Sequence, residues 1–276
     1  MDIVLTFIFL RLMLVFIFIL TGYFLSGEDG KKHYWLCSLP AIVAFSLIEG
    51  LRYDRGVDYF HYKKLFENSL NLSVYYDIDS IEPLFQIINK VIKILGLSYP
   101  VVFVFYSFIL IFAGFFFLRQ YKDCAPFLVP LFFLAIVTPA ENIVRQFVAI
   151  AFVLIALSFF NSKQWIKFCS FILFAFLTHY SSIVLLPFIL LFSKFGVFLV
   201  KKKIVLITIL TLFILSFFWK IEYWSHIYNY IPVLNFGSGR YQSYLERSHI
   251  WFSGEQTLDY VSNLTMFNSI RTFFLN

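Results

Sequence analysis

Charge is scarce in this chain: only 14% of its 276 residues are charged, against 61% hydrophobic and 22% aromatic, with a mean hydropathy of +0.82. Soluble domains carry about 25% charged residues, so an ordinary soluble fold is excluded. Cysteine is scarcer still. Cys37, Cys124 and Cys169 form an odd set without metal-ligand spacing, which argues against a disulfide framework or a zinc site and for small, buried apolar residues. No His/Cys/Asp/Glu cluster has ligand spacing and no glycine-rich phosphate loop occurs, so no metal or other cofactor is expected. The first apolar run lacks a basic n-region and a small-residue cleavage site and reads as a retained span. The net charge of +6 comes from lysines in short loops between apolar runs, not along a polar face, so no nucleic-acid partner is expected.

Apolar runs close to the length that crosses hydrocarbon recur along most of the chain. The expected fold is therefore all-α: a polytopic integral membrane protein, one transmembrane domain over residues 1–276. It should have about eight spanning or half-spanning helices plus an interfacial helix. The spans read as Ile3 to Leu25, Tyr34 to Glu49, Val101 to Leu118, Ala125 to Thr138, Ile143 to Phe160, Trp165 to Leu177, Ser181 to Phe192 and Ile204 to Trp219. Several are short, and Pro130, Pro139 and Pro187 suggest tilted or broken helices, which are tolerated where they line a cavity. Leu84 to Leu95, opened by Pro83 and ended by Gly96, is too short and too basic to span and reads as the interfacial or re-entrant piece. Lys220 to Asn276 is polar and tyrosine-rich. Arg11 lies inside the first span, where a charge costs about 2.5 to 3.5 kcal/mol on insertion scales; it must snorkel, pair or face a wet cavity.

Four alternate loops, Gly27 to His33, Arg119 to Asp123, Asn161 to Lys167 and Lys194 to Lys203, hold ten Lys and Arg residues and read as cytoplasmic. The N-terminus, the polar loop over residues 50–83, Pro139 to Arg145, Thr178 to Ser181 and the tail then face outward. The unusual polar residues collect on that outer side. Gly50 to Tyr62, GLRYDRGVDYFHY, is the densest stretch, and ionisable residues there are expensive unless they face water or a ligand.

Single residues allow more than one reading. Arg145 can anchor its span end by snorkelling or present a planar fork of donors to phosphate or carboxylate. His179 can be a general base, a donor to an anion or a turn residue. Arg55, Asp58 and Tyr62 share a face if their segment is helical, and a solvated local Arg to Asp pair is the plain alternative. Glu82 before Pro83 suits a helix N-terminus.

Taken in order, Arg52, Gly56, Asp58, Tyr59 and Tyr62, then Glu82 with Pro83, then Arg145 with Gln146, then His179 with Ser181 and Ser182 resemble the motifs of Wzy-type O-antigen and capsule polymerases and EpsG-like exopolysaccharide proteins. Arg240, Tyr241 and Tyr244 are similar to that family's outer-loop Arg and Tyr. Val57 departs from a frequent threonine, Arg55 is not carried over, and members usually continue through further spans, so a shortened or divergent member is implied. The resemblance implies a metal-independent glycosyltransferase of the bacterial inner membrane that joins oligosaccharide repeat units carried on polyprenyl pyrophosphate, outside the membrane. Its partners would be that lipid-linked oligosaccharide, membrane lipid, and flippase and chain-length regulator proteins.

On this reading Arg145 clamps the pyrophosphate leaving group, with Arg52 and Arg240 assisting. The acceptor hydroxyl needs a base, Asp58 or His179, and His179 is favoured because an imidazole titrates near neutral pH. Tyr59, Tyr62, Glu82, Gln146 and Tyr244 would complete the substrate-binding set. Two other classes compete. A transporter or flippase for the same lipid-linked sugar would want similar arginines, but no internal repeat is visible. A membrane O-acyltransferase would not need the Gly56 to Tyr62 signature.

Overall fold

The computed structural model describes residues 3–189 except 54, 57, 71–81, 138 and 188, together with the isolated positions 207, 210 and 211. The chain divides into two compact units, Met1–Leu190 and Leu191–Asn276, and apart from those three positions the described residues belong to the first. Arg240, Tyr244, most of the expected last two spans and the polar tail lie outside the described residues.

Among the described residues of the first unit the regular elements are all helices, and no strand occurs. Ten α-helices follow in order: α1 (Ile3–Ser26), α2 (Glu28–Lys32), α3 (Tyr34–Gly50), α4 (Tyr59–Glu67), α5 (Pro83–Ile94), α6 (Tyr99–Leu118), α7 (Ala125–Ile136), α8 (Pro139–Asn142), α9 (Val144–Asn161) and α10 (Trp165–Thr178). Short 3-10 segments lie at Arg119–Cys124 and Tyr180–Val184. Among the described residues three stretches are long and apolar enough to cross a membrane: Leu5–Ser26, Tyr99–Ile136 and Val144–Asn161. The second joins α6 to α7 across Tyr121, whose non-helical backbone (φ −125°, ψ 39°) reverses the chain. α3 and α10 are apolar but shorter. These features make a membrane protein, while the full number of spans expected from the sequence rests partly on residues not described.

Local chemistry explains the boundaries. Pro83 opens α5 at its first turn, where a missing N–H costs nothing. The Gly96 and Leu97 N–H groups close the same helix on the Lys93 and Ile92 carbonyls with Gly96 at φ 72°, a Schellman end. Phe85, Asn89 and Ile92 form the buried stripe of α5, at helical spacing.

Paired contacts set the helix directions. The Tyr34 hydroxyl donates to the Phe115 carbonyl at 2.7 Å while Gly50 lies against Val104, so α3 and α6 run antiparallel. α9 and α10 do the same, with Phe160 against Phe168 and Phe152 against Phe174. Phe116 meets Phe159, and Tyr106 and Ser107 line one cavity with Val144 and Val148, which sets α6 parallel to α9. Phe18 is fully buried among Phe45, Phe115 and Phe133 and fills the middle of the bundle.

As a result the loops sort to two ends. Lys31 pairs with Asp123 at 2.5 Å, and Asn161 donates to Gln120 at 3.0 Å, so the three basic turns meet at one end. Arg11, Glu49, Glu82, Arg145 and His179 meet at the other.

Candidate functional site

Glu82 is the centre of the first cluster. It occupies the N-cap position of α5 in extended conformation (φ −64°, ψ 140°), but its side chain makes no capping bond. Its carboxylate reaches across the bundle instead. Oε2 accepts from Arg145 Nη1 at 2.7 Å and Oε1 meets His179 Nδ1 at 2.6 Å. Burial works to raise the Glu82 carboxyl, but the His179 hydrogen bond and the Arg145 charge outweigh it and hold the group below its ordinary range. With Glu82 ionised, Nδ1–H of His179 is the donor, which leaves Nε2 as the basic nitrogen of the neutral ring. His179 caps α10 in extended conformation, its backbone N–H on the Ala175 carbonyl. Arg145 is the second residue of α9, and its guanidinium lies 5.8 Å from the Phe85 ring centre. The Glu82 side chain is 2% exposed, against 14% for Arg145 and 17% for His179, so approach from outside is over the latter two.

A wall of aromatic rings backs this cluster. Tyr62 packs on Phe85, and Phe85 stacks on Tyr106, whose hydroxyl donates to Asn89 at 3.0 Å. Tyr59 is buried, stacks on Phe103 and bonds the Tyr99 hydroxyl at 3.0 Å. Burial raises the Tyr62 phenol, against the pull of the neighbouring Arg145 charge. Tyr62 thus lies beside Arg145, whereas Tyr59 packs in the aromatic layer around Phe103 and Tyr99.

The second cluster is a lattice of three arginines and two glutamates. Arg11 Nη2 and Arg55 Nε both meet Glu141 Oε1 at 2.8 Å, while Arg55 Nη2 meets Glu49 Oε2 at 2.8 Å and Arg11 Nε stands 3.8 Å from Glu49 Oε1. Both guanidiniums lie over the Phe7 ring, 4.8 and 4.6 Å from its centre. Arg52 is buried and bonds backbone, donating to the Glu49 carbonyl at 2.9 Å and the Glu141 carbonyl at 3.2 Å. A cavity of about 20 Å³, with Glu49, Arg52, Tyr106, Ser107 and Val144 in its lining, has room for about one water and none for a sugar.

The structure brings together Glu82, Arg145 and His179, with Tyr62 beside them. Asp58 is the N-cap of α4 without a side-chain capping bond, near enough to Tyr62 for its charge to act on that phenol. Because α4 begins only at Tyr59, Arg55 does not share a helical face with Asp58 and Tyr62; it turns to Glu49 and Glu141. Gln146 follows Arg145 on α9, partly exposed. Sequence reasoning missed Glu49 and Glu141 and set Arg55 aside. The available signal was an ionisable residue at the end of an apolar run, facing the demand for a partner already posed by Arg11. Among the described residues no group of three His, Cys, Asp or Glu could hold a metal ion.

No curated protein and no solved structure matches this chain. A family model described as the EpsG family matches residues 34–275, a stretch that contains every member of both clusters except Arg11. The match takes in most of the chain, and with it comes a polymerase-like role in polysaccharide biosynthesis. The protein belongs to the EpsG family.

Proposed function

We propose that the protein polymerises oligosaccharide repeat units held on polyprenyl pyrophosphate, by glycosyl transfer at the outer face of the bacterial inner membrane. The observation that carries this reading is Glu82 shared between Arg145 and His179 at one end of a bundle in an EpsG-family chain. An acceptor sugar hydroxyl attacks the anomeric carbon of a lipid-linked sugar. The new C–O bond forms as the bond to the pyrophosphate oxygen breaks, and the pyrophosphate leaves on its lipid. His179 Nε2 takes the hydroxyl proton, its ring oriented by the Nδ1–H bond to Glu82. Arg145 supplies fixed positive charge where the pyrophosphate develops its own, a role that needs no metal. Arg52, Arg240, Tyr244, Gln146, Tyr59 and Tyr62 are assigned to substrate binding on resemblance. Asp58 is the alternative base, but Glu82 gives His179 the orienting partner that a base requires.

The test is a glycan gel from a deletion strain complemented with variants at matched protein level. The empty strain should display single-repeat glycan, and wild type should restore long chains. Arg145→Lys, a point charge without the bidentate fork, and His179→Gln should each leave mostly single repeats, whereas Asp58→Asn should shorten chains only partly. Absent surface glycan in the empty strain would instead make the protein an exporter. Long chains from His179→Gln with none from Asp58→Asn would move the base to Asp58.

A further inference from the structure

We propose that the lattice of Arg11, Glu49, Arg52, Arg55 and Glu141 is a positioning device for Arg145, acting through the short helix α8. Its functional arm rests on the transfer reading above; its structural arm does not.

Glu141 is held from several directions at once. Arg11 from α1 and Arg55 from the segment after α3 both meet its Oε1 at 2.8 Å. Its backbone carbonyl accepts from Arg52 at 3.2 Å. Gly56, at φ 93°, lies so close that an added Cβ would stand 2.4 Å from that same carbonyl oxygen. Glu49, at the end of α3, takes the other side of Arg55 at 2.8 Å and ties the lattice to the bundle.

This effort is spent on a helix of one turn. α8 runs Pro139–Asn142, and Ile143 (φ −107°, ψ 55°) breaks the chain before α9 starts at Val144. A single turn has no stability of its own, so its place is set by what grips it. Arg145 stands two residues beyond the break, and the angle at which it meets Glu82 follows from where α8 is pinned. Burying Glu49, Arg52 and Glu141, with Arg11 and Arg55 partly covered beside them, is a poor way to gain stability alone, since apolar packing of the same volume does as well or better. It does define a geometry, because each guanidinium accepts only a narrow set of carboxylate positions. The arginine and glycine of the sequence motif, Arg52 and Gly56, thereby serve the residue four before Arg145.

The test uses the full-length protein in detergent with two variants, Glu141→Gln and Gly56→Ala. The second keeps every charge and pushes directly on the Glu141 carbonyl. Hydrogen exchange at residues 143–148 should speed up at least about tenfold in both, with exchange in α5 and α10 unchanged. Polymerisation of lipid-linked repeats should lose about tenfold to a hundredfold in kcat at nearly constant KM, as misplacement of a group acting in the transition state requires. Unchanged exchange at residues 143–148 overturns the proposal, as does faster exchange with unchanged kcat, or a rise in KM alone. If Glu141→Gln does not accumulate, Gly56→Ala decides. If the wild type polymerises nothing, the transfer reading fails and the exchange result alone judges the lattice.

Discussion

Glu82 illustrates how one residue can be placed by the chain for one purpose and used for another. Its position before Pro83 is that of a helix cap, yet its carboxylate is spent on Arg145 and His179. Those two residues hold its carboxyl below the ordinary value of 4.5. The folded protein therefore binds that proton more weakly than the unfolded chain does. The stabilisation is fully present above pH 4.5 and is lost as pH falls through the lower folded value. Glu82→Gln should accordingly cost about 3 kcal/mol at neutral pH, the scale for removing one partner of a buried ion pair. The gap to wild type in thermal melts should close on acidification below the ordinary carboxylate range; a gap that stays constant with pH would show that the Glu82 charge contributes nothing. At this scale each residue of the cluster was visible in the sequence as a polar oddity, but its partner was not. Glu82 meets residues 63 and 97 positions away.

Among the elements, α3 and α6 show how close approach is arranged. Gly50 ends α3 against the Val104 backbone, and a Cβ there would fall 2.3 Å from the Val104 Cα. Backbone cannot move aside as a side-chain tip can, so Gly50→Ala should force the helices apart at the end that carries the site. Overpacking of this kind costs about 1 to 3 kcal/mol. A melting temperature equal to wild type would mean that the helices yield freely. The ends of α5 were legible because proline and glycine punctuate it. The start of α9 at Val144 was legible as well, one residue from the expected span start at Ile143, but the helical turn of α8 was not: Pro139 to Arg145 reads as a loop, and only the tertiary grip on Glu141 accounts for a turn there.

At the level of the whole molecule, the described basic and polar loops of the first unit sort to opposite ends of its bundle. Lys31, Asp123, Gln120 and Asn161 gather at one end, and both clusters gather at the other. The orientation proposed from the positive-inside rule places the basic end in the cytoplasm. Single cysteines introduced into a cysteine-free background should report it. A probe replacing Lys122 should resist an impermeant thiol reagent added to intact spheroplasts, and one replacing Tyr76 should react. Equal labelling of both would remove the outward-facing site and the extracytoplasmic transfer with it.

The sequence by itself determined the solvent, the main apolar helices and which of the described loops share an end of the bundle. Apolar runs of fixed length, broken by proline, glycine and lysine, admit little besides helices in a bilayer, and alternation then dictates which loops share an end. It also singled out Arg145, His179 and Glu82 as unusual polar residues at the ends of apolar runs, with anchor, turn and helix-terminus readings open beside a functional one. Only the tertiary structure decided who pairs with whom. Periodicity describes one helix at a time, whereas the contacts of Glu82 and of Glu141 depend on how several helices approach, and that is set by side-chain volumes such as the absence of one at Gly50. The same holds for Arg11: its need for a partner was plain from its place in α1, but Glu141 became that partner because a single-turn helix is held where Arg55, Arg52 and Gly56 close around it.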